Sequence, residues 1–93
     1  MDTSFLFDEF FVTSSVYTVD FVAPLDHSSL IVDLIQLSKP FTSLVLLQKD
    51  YKTGFVFTFV SALSVGEFHT ELFTIVNKIR SLHKLTYSQF RYV

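Results

Sequence analysis

Two short stretches of this chain repeat each other, and the repeat falls where a strand hands over to a helix. Asp20-Phe-Val-Ala-Pro-Leu-Asp26 matches Thr58-Phe-Val-Ser-Ala-Leu-Ser64, 38 positions later, at Phe, Val and Leu, and it sets Asp26 and Ser64 in register as helix-capping residues. Self-similarity at a fixed period is the mark of one supersecondary unit used more than once. Seven residues alone would carry little. Their weight comes from landing on the same kind of junction in both halves.

The first half opens with Val16-Tyr-Thr-Val-Asp-Phe-Val22, an alternating run rich in β-branched and aromatic types that predicts a strand starting as early as Phe10. Pro24 ends it. Asp26 is placed to accept from the backbone amides of a helix entrance, with Leu25 poised to staple onto Leu30. Leu30, Ile31, Leu34, Ile35 and Leu37 then recur at helical spacing over 28–38, and Pro40 blocks continuation. Residues 41–48 form an apolar run of strand length, 49–54 a polar turn, and 55–62 a second apolar run, which together predict a hairpin. Ser64-Val-Gly-Glu67 has the spacing of a capping box, flanked by Leu63 and Phe68 as a hydrophobic staple, so a second helix starts there. Its stripe is Phe68, Leu72, Ile75, Val76, Ile79 and Leu82, and the cations Lys78, Arg80 and Lys84 sit where they complement the helix dipole. Residues 87–93 read as a last short strand.

The order β-α-β-β-α-β, with each crossover right-handed, predicts an α+β ferredoxin-like fold: a four-stranded antiparallel sheet with both helices on one face. The chain divides into a Phe-rich N-terminal arm, 1–15, and a ferredoxin-like domain, 16–93. A chain of 93 residues has room for one core. Apolar residues make up 49% and charged residues only 17%, which argues against global disorder. Twelve Phe, no Trp and no Cys mean that burial leans on large aromatic rings and that neither disulfides nor thiol chemistry contribute.

Strand alternation sorts side chains into two faces. Tyr17, Val19, Phe21, Val45, Leu47, Phe55, Phe57, Phe59, Phe90 and Tyr92 share the phase expected to meet the helices. Val16, Thr18, Asp20, Val22, Leu44, Leu46, Val56, Thr58, Val60, Gln89 and Arg91 share the other. An open sheet face carrying Val, Leu and Thr is an apolar patch that a partner, a second copy or the arm would cover. The expected partner-binding residues are therefore Thr18, Leu44, Leu46, Val56, Thr58, Val60 and Arg91, together with Phe5 and Phe7 of the arm Phe5-Leu-Phe-Asp-Glu-Phe-Phe11.

Catalytic constellations are missing. His27, His69 and His83 lie in different elements without the i, i+4 spacing of helical metal ligands, and they read as surface or capping residues. Asp26-His27-Ser28 contains three triad residue types, but chain neighbours point apart and cannot line up base and nucleophile. Glu67 is already used in the capping box, so Glu67 and Glu71 do not read as a carboxylate pair. Two glycines, Gly54 and Gly66, are too few for a phosphate-cradling loop. The expectation is a non-enzymatic protein with no cofactor or metal. A net charge of −2 is a poor footprint for neutralising many phosphates, and the longest uncharged run, 53–66, is shorter than the roughly 20 residues of a membrane span. The acidic N-terminal stretch does not read as a basic targeting segment.

Lys52-Thr-Gly-Phe-Val-Phe-Thr-Phe59, following Val16-Tyr-Thr-Val-Asp-Phe21, resembles the paired strand motifs of RNA-recognition domains, which stack exposed aromatics on bases. Thr53 and Val56 depart from that pattern. The same stretch, extended through Glu67-Phe-His-Thr-Glu-Leu72 to the last strand, is similar to the small-subunit ribosomal protein numbered six of bacteria and organelles, where a Lys-x-Gly-aromatic turn also enters the third strand. The resemblance covers about two thirds of the chain. It implies a structural subunit of a small ribosomal subunit that packs neighbouring proteins with its sheet and touches ribosomal RNA peripherally, here through Lys78, Arg80 and Lys84. The basic hairpin of that family is missing. Abundant Phe, Val, Leu and Ser beside a single Asn and five Lys imply a coding strand rich in T and poor in A, a bias of organelle genomes and of some RNA viruses; with the ribosomal resemblance, the expectation is an organelle-encoded, mitochondrial protein. An RNA-recognition module and a homodimeric ligand-sensing domain are the alternative expectations.

Overall fold

The computed structural model describes residues 14–93. The elements are β1 (Ser15–Val22), α1 (Ser28–Ser38), β2 (Leu44–Tyr51), β3 (Gly54–Ser61), α2 (Val65–His83) and β4 (Arg91–Tyr92). They form one antiparallel sheet of order β2-β3-β1-β4. This is the α+β, ferredoxin-like arrangement that the repeat predicts. Of the expected arm, only Ser14 and Ser15 fall within the described residues.

Alternation along β1 and β3 decides where the core lies. Val19, Phe21, Phe55, Phe57 and Phe59 all point to the helix side, where they join Leu30 and Leu34 of α1, and Phe68, Leu72, Ile75, Val76 and Ile79 of α2, in one cluster. Phe55, Phe57, Phe59, Phe68 and Phe90 are each shielded almost completely from solvent. The Tyr17 ring lies flat on that of Phe68, 4.1 Å between centres, and its hydroxyl donates to the Leu63 carbonyl at 2.6 Å. Burying a tyrosine beside a helix start in this way satisfies its polar tip without exposing its ring.

The capping box forms as expected. The Glu67 amide donates to Ser64 Oγ at 3.3 Å and the Ser64 amide to Glu67 Oε1 at 3.3 Å. Removing the hydroxyl with Ser64→Ala is expected to cost about 1 kcal/mol in urea denaturation. Hydrogen bonds from the Ser64 side chain, then from its backbone, hold the Glu67 carboxyl below its ordinary value of 4.5. A depressed folded-state pKa contributes stability above pH 4.5, and that contribution is lost as pH falls through the lower folded value. The gap between wild type and Ser64→Ala should therefore narrow on acidification.

The first helix begins differently. His27, not Asp26, occupies the N-cap position of α1, without a side-chain cap, and Asp26 accepts instead from the Ser28 hydroxyl at 3.2 Å. Leu25 is 78% exposed, so it makes no staple. His27 is not a surface residue either. It is buried, with Nδ1 2.9 Å from the Pro24 carbonyl oxygen and Nε2 2.6 Å from Asp50 Oδ1. That side-chain anchor holds the helix entrance to the β2–β3 hairpin in place of a cap.

The hairpin is longer than the run of apolar residues suggests. Its β2 strand reaches Tyr51, so the turn shrinks to Lys52-Thr53. Gln48 is an extra residue in β2, since Leu47 pairs with Phe57 and Lys49 with the next residue of β3, Val56. This bulge reverses the alternation and turns Asp50 toward the helix side, where it meets His27. Leu47 keeps the helix-side phase but stays 45% exposed at the sheet edge, and Leu82 is 63% exposed beyond the buried stripe of α2. The last strand contracts to Arg91–Tyr92 because 86–90 form a turn that delivers Phe90 into the core. His83 is half-buried and lies 2.5 Å from Asp33 Oδ2, clasping α2 to α1.

Candidate interaction surface

The side of the sheet away from the helices can be described as rows that cross the strands. Val16, Val60 and Leu44 form the first row, and Thr18, Thr58 and Leu46 the second. Asp20, Val56 and Lys49 form the third, and Val22, Gly54 and Tyr51 the fourth. The surface is thus graded. It is wholly apolar in the first row, at the end where β1 begins, mixed in the second, and charged in the third, where an acid and a lysine flank Val56.

Exposure varies across the strands, not along that gradient. Val16 is 67% exposed, Leu44 48% and Leu46 52%, while Val56, Thr58 and Val60 on the inner strand are half-buried by their neighbours. Isolated exposed apolar residues are ordinary, but three in adjacent positions around Val60 form a continuous patch. The second row is tied by the Thr58 hydroxyl, which donates to Gln48 Oε1 at 2.8 Å. The Lys49 ammonium lies 5.3 Å from the centre of the Tyr51 ring, so the sole open-face aromatic among the described residues sits at the polar end.

Six of the expected partner-binding residues, Thr18, Leu44, Leu46, Val56, Thr58 and Val60, come together on this face. Arg91 does not join them cleanly. It pairs with Val22 at the sheet edge, but its guanidinium donates to the Ser88 carbonyl at 2.8 Å and lies 6.0 Å from the Tyr87 ring centre. Phe5 and Phe7 lie outside the described residues. Lys49 and Tyr51 are not readable from alternation as members of the face, because only the bulge gives them that orientation.

The aromatics that resemble base-stacking positions are turned inward: Phe55 is 1% exposed and Phe57 0%. Among the expected RNA-contact residues, Lys78 and Lys84 are exposed, with Lys84 in a left-handed conformation closing α2. Arg80 is half-buried, donates to the Phe90 carbonyl at 2.7 Å and also bonds Asn77. Burial and then Tyr87 push the Tyr92 phenol above its ordinary value, with Arg80 pulling the other way.

Among the described residues no cluster of three or more His, Asp or Glu is placed to hold a metal ion. No helix there is long and apolar enough to cross a membrane. Comparison with family models, with curated proteins and with solved structures finds no match to this chain.

Proposed function

We propose that this protein is a non-enzymatic structural subunit of a large assembly, with the small subunit of a mitochondrial ribosome as the setting its sequence resembles most. In this reading the open sheet face binds a neighbouring protein subunit. The observation that carries it is the apolar end of that face, Val16, Leu44 and Leu46 standing exposed around Val60. Covering such a patch releases water from apolar area, and its pleated, Thr-edged surface suits a flat protein partner. The inward-turned Phe55 and Phe57 weigh against the alternative of an RNA-recognition module that stacks bases on the sheet.

The test is co-sedimentation of the tagged protein with small ribosomal subunits from the native source. A carboxylate at the centre of the patch would be stripped of water without a partner, so Val60→Asp is expected to weaken incorporation by about 2 kcal/mol, roughly thirtyfold. Val56→Asp, already between Asp20 and Lys49, should weaken it less. Both variants should stay folded at the assay temperature, with a lowered melting point, since Asp is a poor strand former. Full incorporation of folded Val60→Asp, or failure of the wild type to co-sediment, removes this reading.

A further inference from the structure

Cations and exposed aromatic rings, sparse on the open sheet face, gather at another corner, where the end of α2 meets the turn before β4. Residues 72–93 contain no Asp or Glu but carry Lys78, Arg80, Lys84 and Arg91, a basic stretch within a chain of net charge −2. Phe73, Arg80, Tyr87, Arg91 and Tyr92 line a cavity of about 210 Å³ there. The guanidinium carbons of Arg80 and Arg91 lie 5.2 and 6.0 Å from the centre of one ring, Tyr87. Neither arginine pairs with a carboxylate among the described residues, where the ion pairs are His27 with Asp50 and His83 with Asp33. Their intramolecular bonds go to the Phe90 and Ser88 carbonyls and to Asn77, which fix the guanidinium planes but leave their charge uncompensated. Tyr87 is 65% exposed and Phe73 53%.

We propose that this corner binds single-stranded nucleic acid, with the arginines holding backbone phosphate and the exposed rings of Tyr87 and Phe73 taking a base. Two like charges beside one ring repel each other and are relieved by a shared anion. A guanidinium fork matches a phosphate, and a ring face accepts any base, so the two together select a strand of nucleotides over a simple anion. An acidic peptide would use the arginines and leave the rings idle. The site is separate from the open sheet face, and it stands or falls independently of the assembly reading. It also differs from base stacking on the sheet, because none of its rings comes from β1 or β3.

The test uses the full chain and a fluorescein-labelled, mixed-sequence RNA of about 12 nucleotides, within the span such sites cover. Fluorescence anisotropy is recorded across a salt series. Tyr87→Leu is expected to weaken binding about tenfold through lost stacking. Arg91→Gln should weaken it about as much and make the slope of log affinity against log salt shallower by about 0.7, the value of one phosphate contact on a single strand. Leu46→Ser, on the sheet face, should change neither. Circular dichroism checks that each variant is folded, and Phe73→Ser replaces any variant that is not. Three results overturn the proposal. One is wild-type binding no tighter than that of the Tyr87→Leu, Arg91→Gln double variant. Another is equal affinity for an abasic strand, which would make the corner an anion site only. The third is competition by polyglutamate as effective as by RNA, which would assign it to acidic peptides.

Discussion

Gly54→Ala is expected to cost about 3 kcal/mol of folding stability, far more than an alanine usually costs in a strand. Gly54 opens β3 with φ at +157°, directly opposite Val22 of β1. A Cβ built there would lie 1.8 Å from the Phe21 carbonyl oxygen and 2.9 Å from its carbonyl carbon. Both are backbone atoms of the neighbouring strand, so no side chain can swing away to make room. The strand end would have to separate, and it would take the two-residue Lys52-Thr53 turn with it. The other glycine provides the control. Among the described residues, nothing beyond its chain neighbours and its own helix backbone lies within 4 Å of a Cβ at Gly66, in the first turn of α2, so Gly66→Ala should be neutral or stabilising by up to about 1 kcal/mol. Urea denaturation of both variants measures the contrast, and equal midpoints would show that the strand end yields freely.

Phe57→Ala should be at least as damaging, at about 3–5 kcal/mol. Phe57 sits in the middle of the central strand with no exposed surface, its ring 5.1 Å from that of Phe55, 5.8 Å from Phe59 and 6.1 Å from Phe21. Removing it leaves a hole bounded by stiff rings. Such rings cannot flow into the space as a methionine would, so the cavity persists. Against a total stability of about 5–15 kcal/mol, with small domains near the lower end, the loss approaches the whole margin. Phe57→Leu keeps most of the volume and should cost about 1.5 kcal/mol or less. Thermal melts of the pair provide the measurement. A loss below 1.5 kcal/mol for Phe57→Ala would mean that the core closes up after all.

What the sequence shows of this fold is whatever is decided locally. Ser64 and Glu67 find each other across three residues, and alternation along β1 and β3 assigns Phe21, Phe55, Phe57 and Phe59 to the helix side without reference to anything distant. The misreadings all have a tertiary cause. Asp26 has the right chemistry for a cap, but the buried His27 is fixed by Asp50, which lies 23 residues away, and this sets the helix start one position later. The bulge at Gln48 leaves no trace in hydrophobic periodicity, so Asp50, Lys49 and Tyr51 could not be given their true faces. The candidate surface was legible in the same measure. Its six strand residues follow from alternation, whereas the departure of Arg91 toward Tyr87 depends on a turn that brings two distant cations to one ring.

That single extra residue in β2 also bears on how the protein can change over time. Upstream of Gln48, the leucines at 44 and 46 stand on the open face, in the proposed interface; downstream, Asp50 answers to the helix entrance. One strand therefore carries two separate obligations, joined at a point where the pleat resets. Substitution on the open-face half need not disturb the anchoring half, so the character of the surface can drift while the scaffold beneath it keeps its shape.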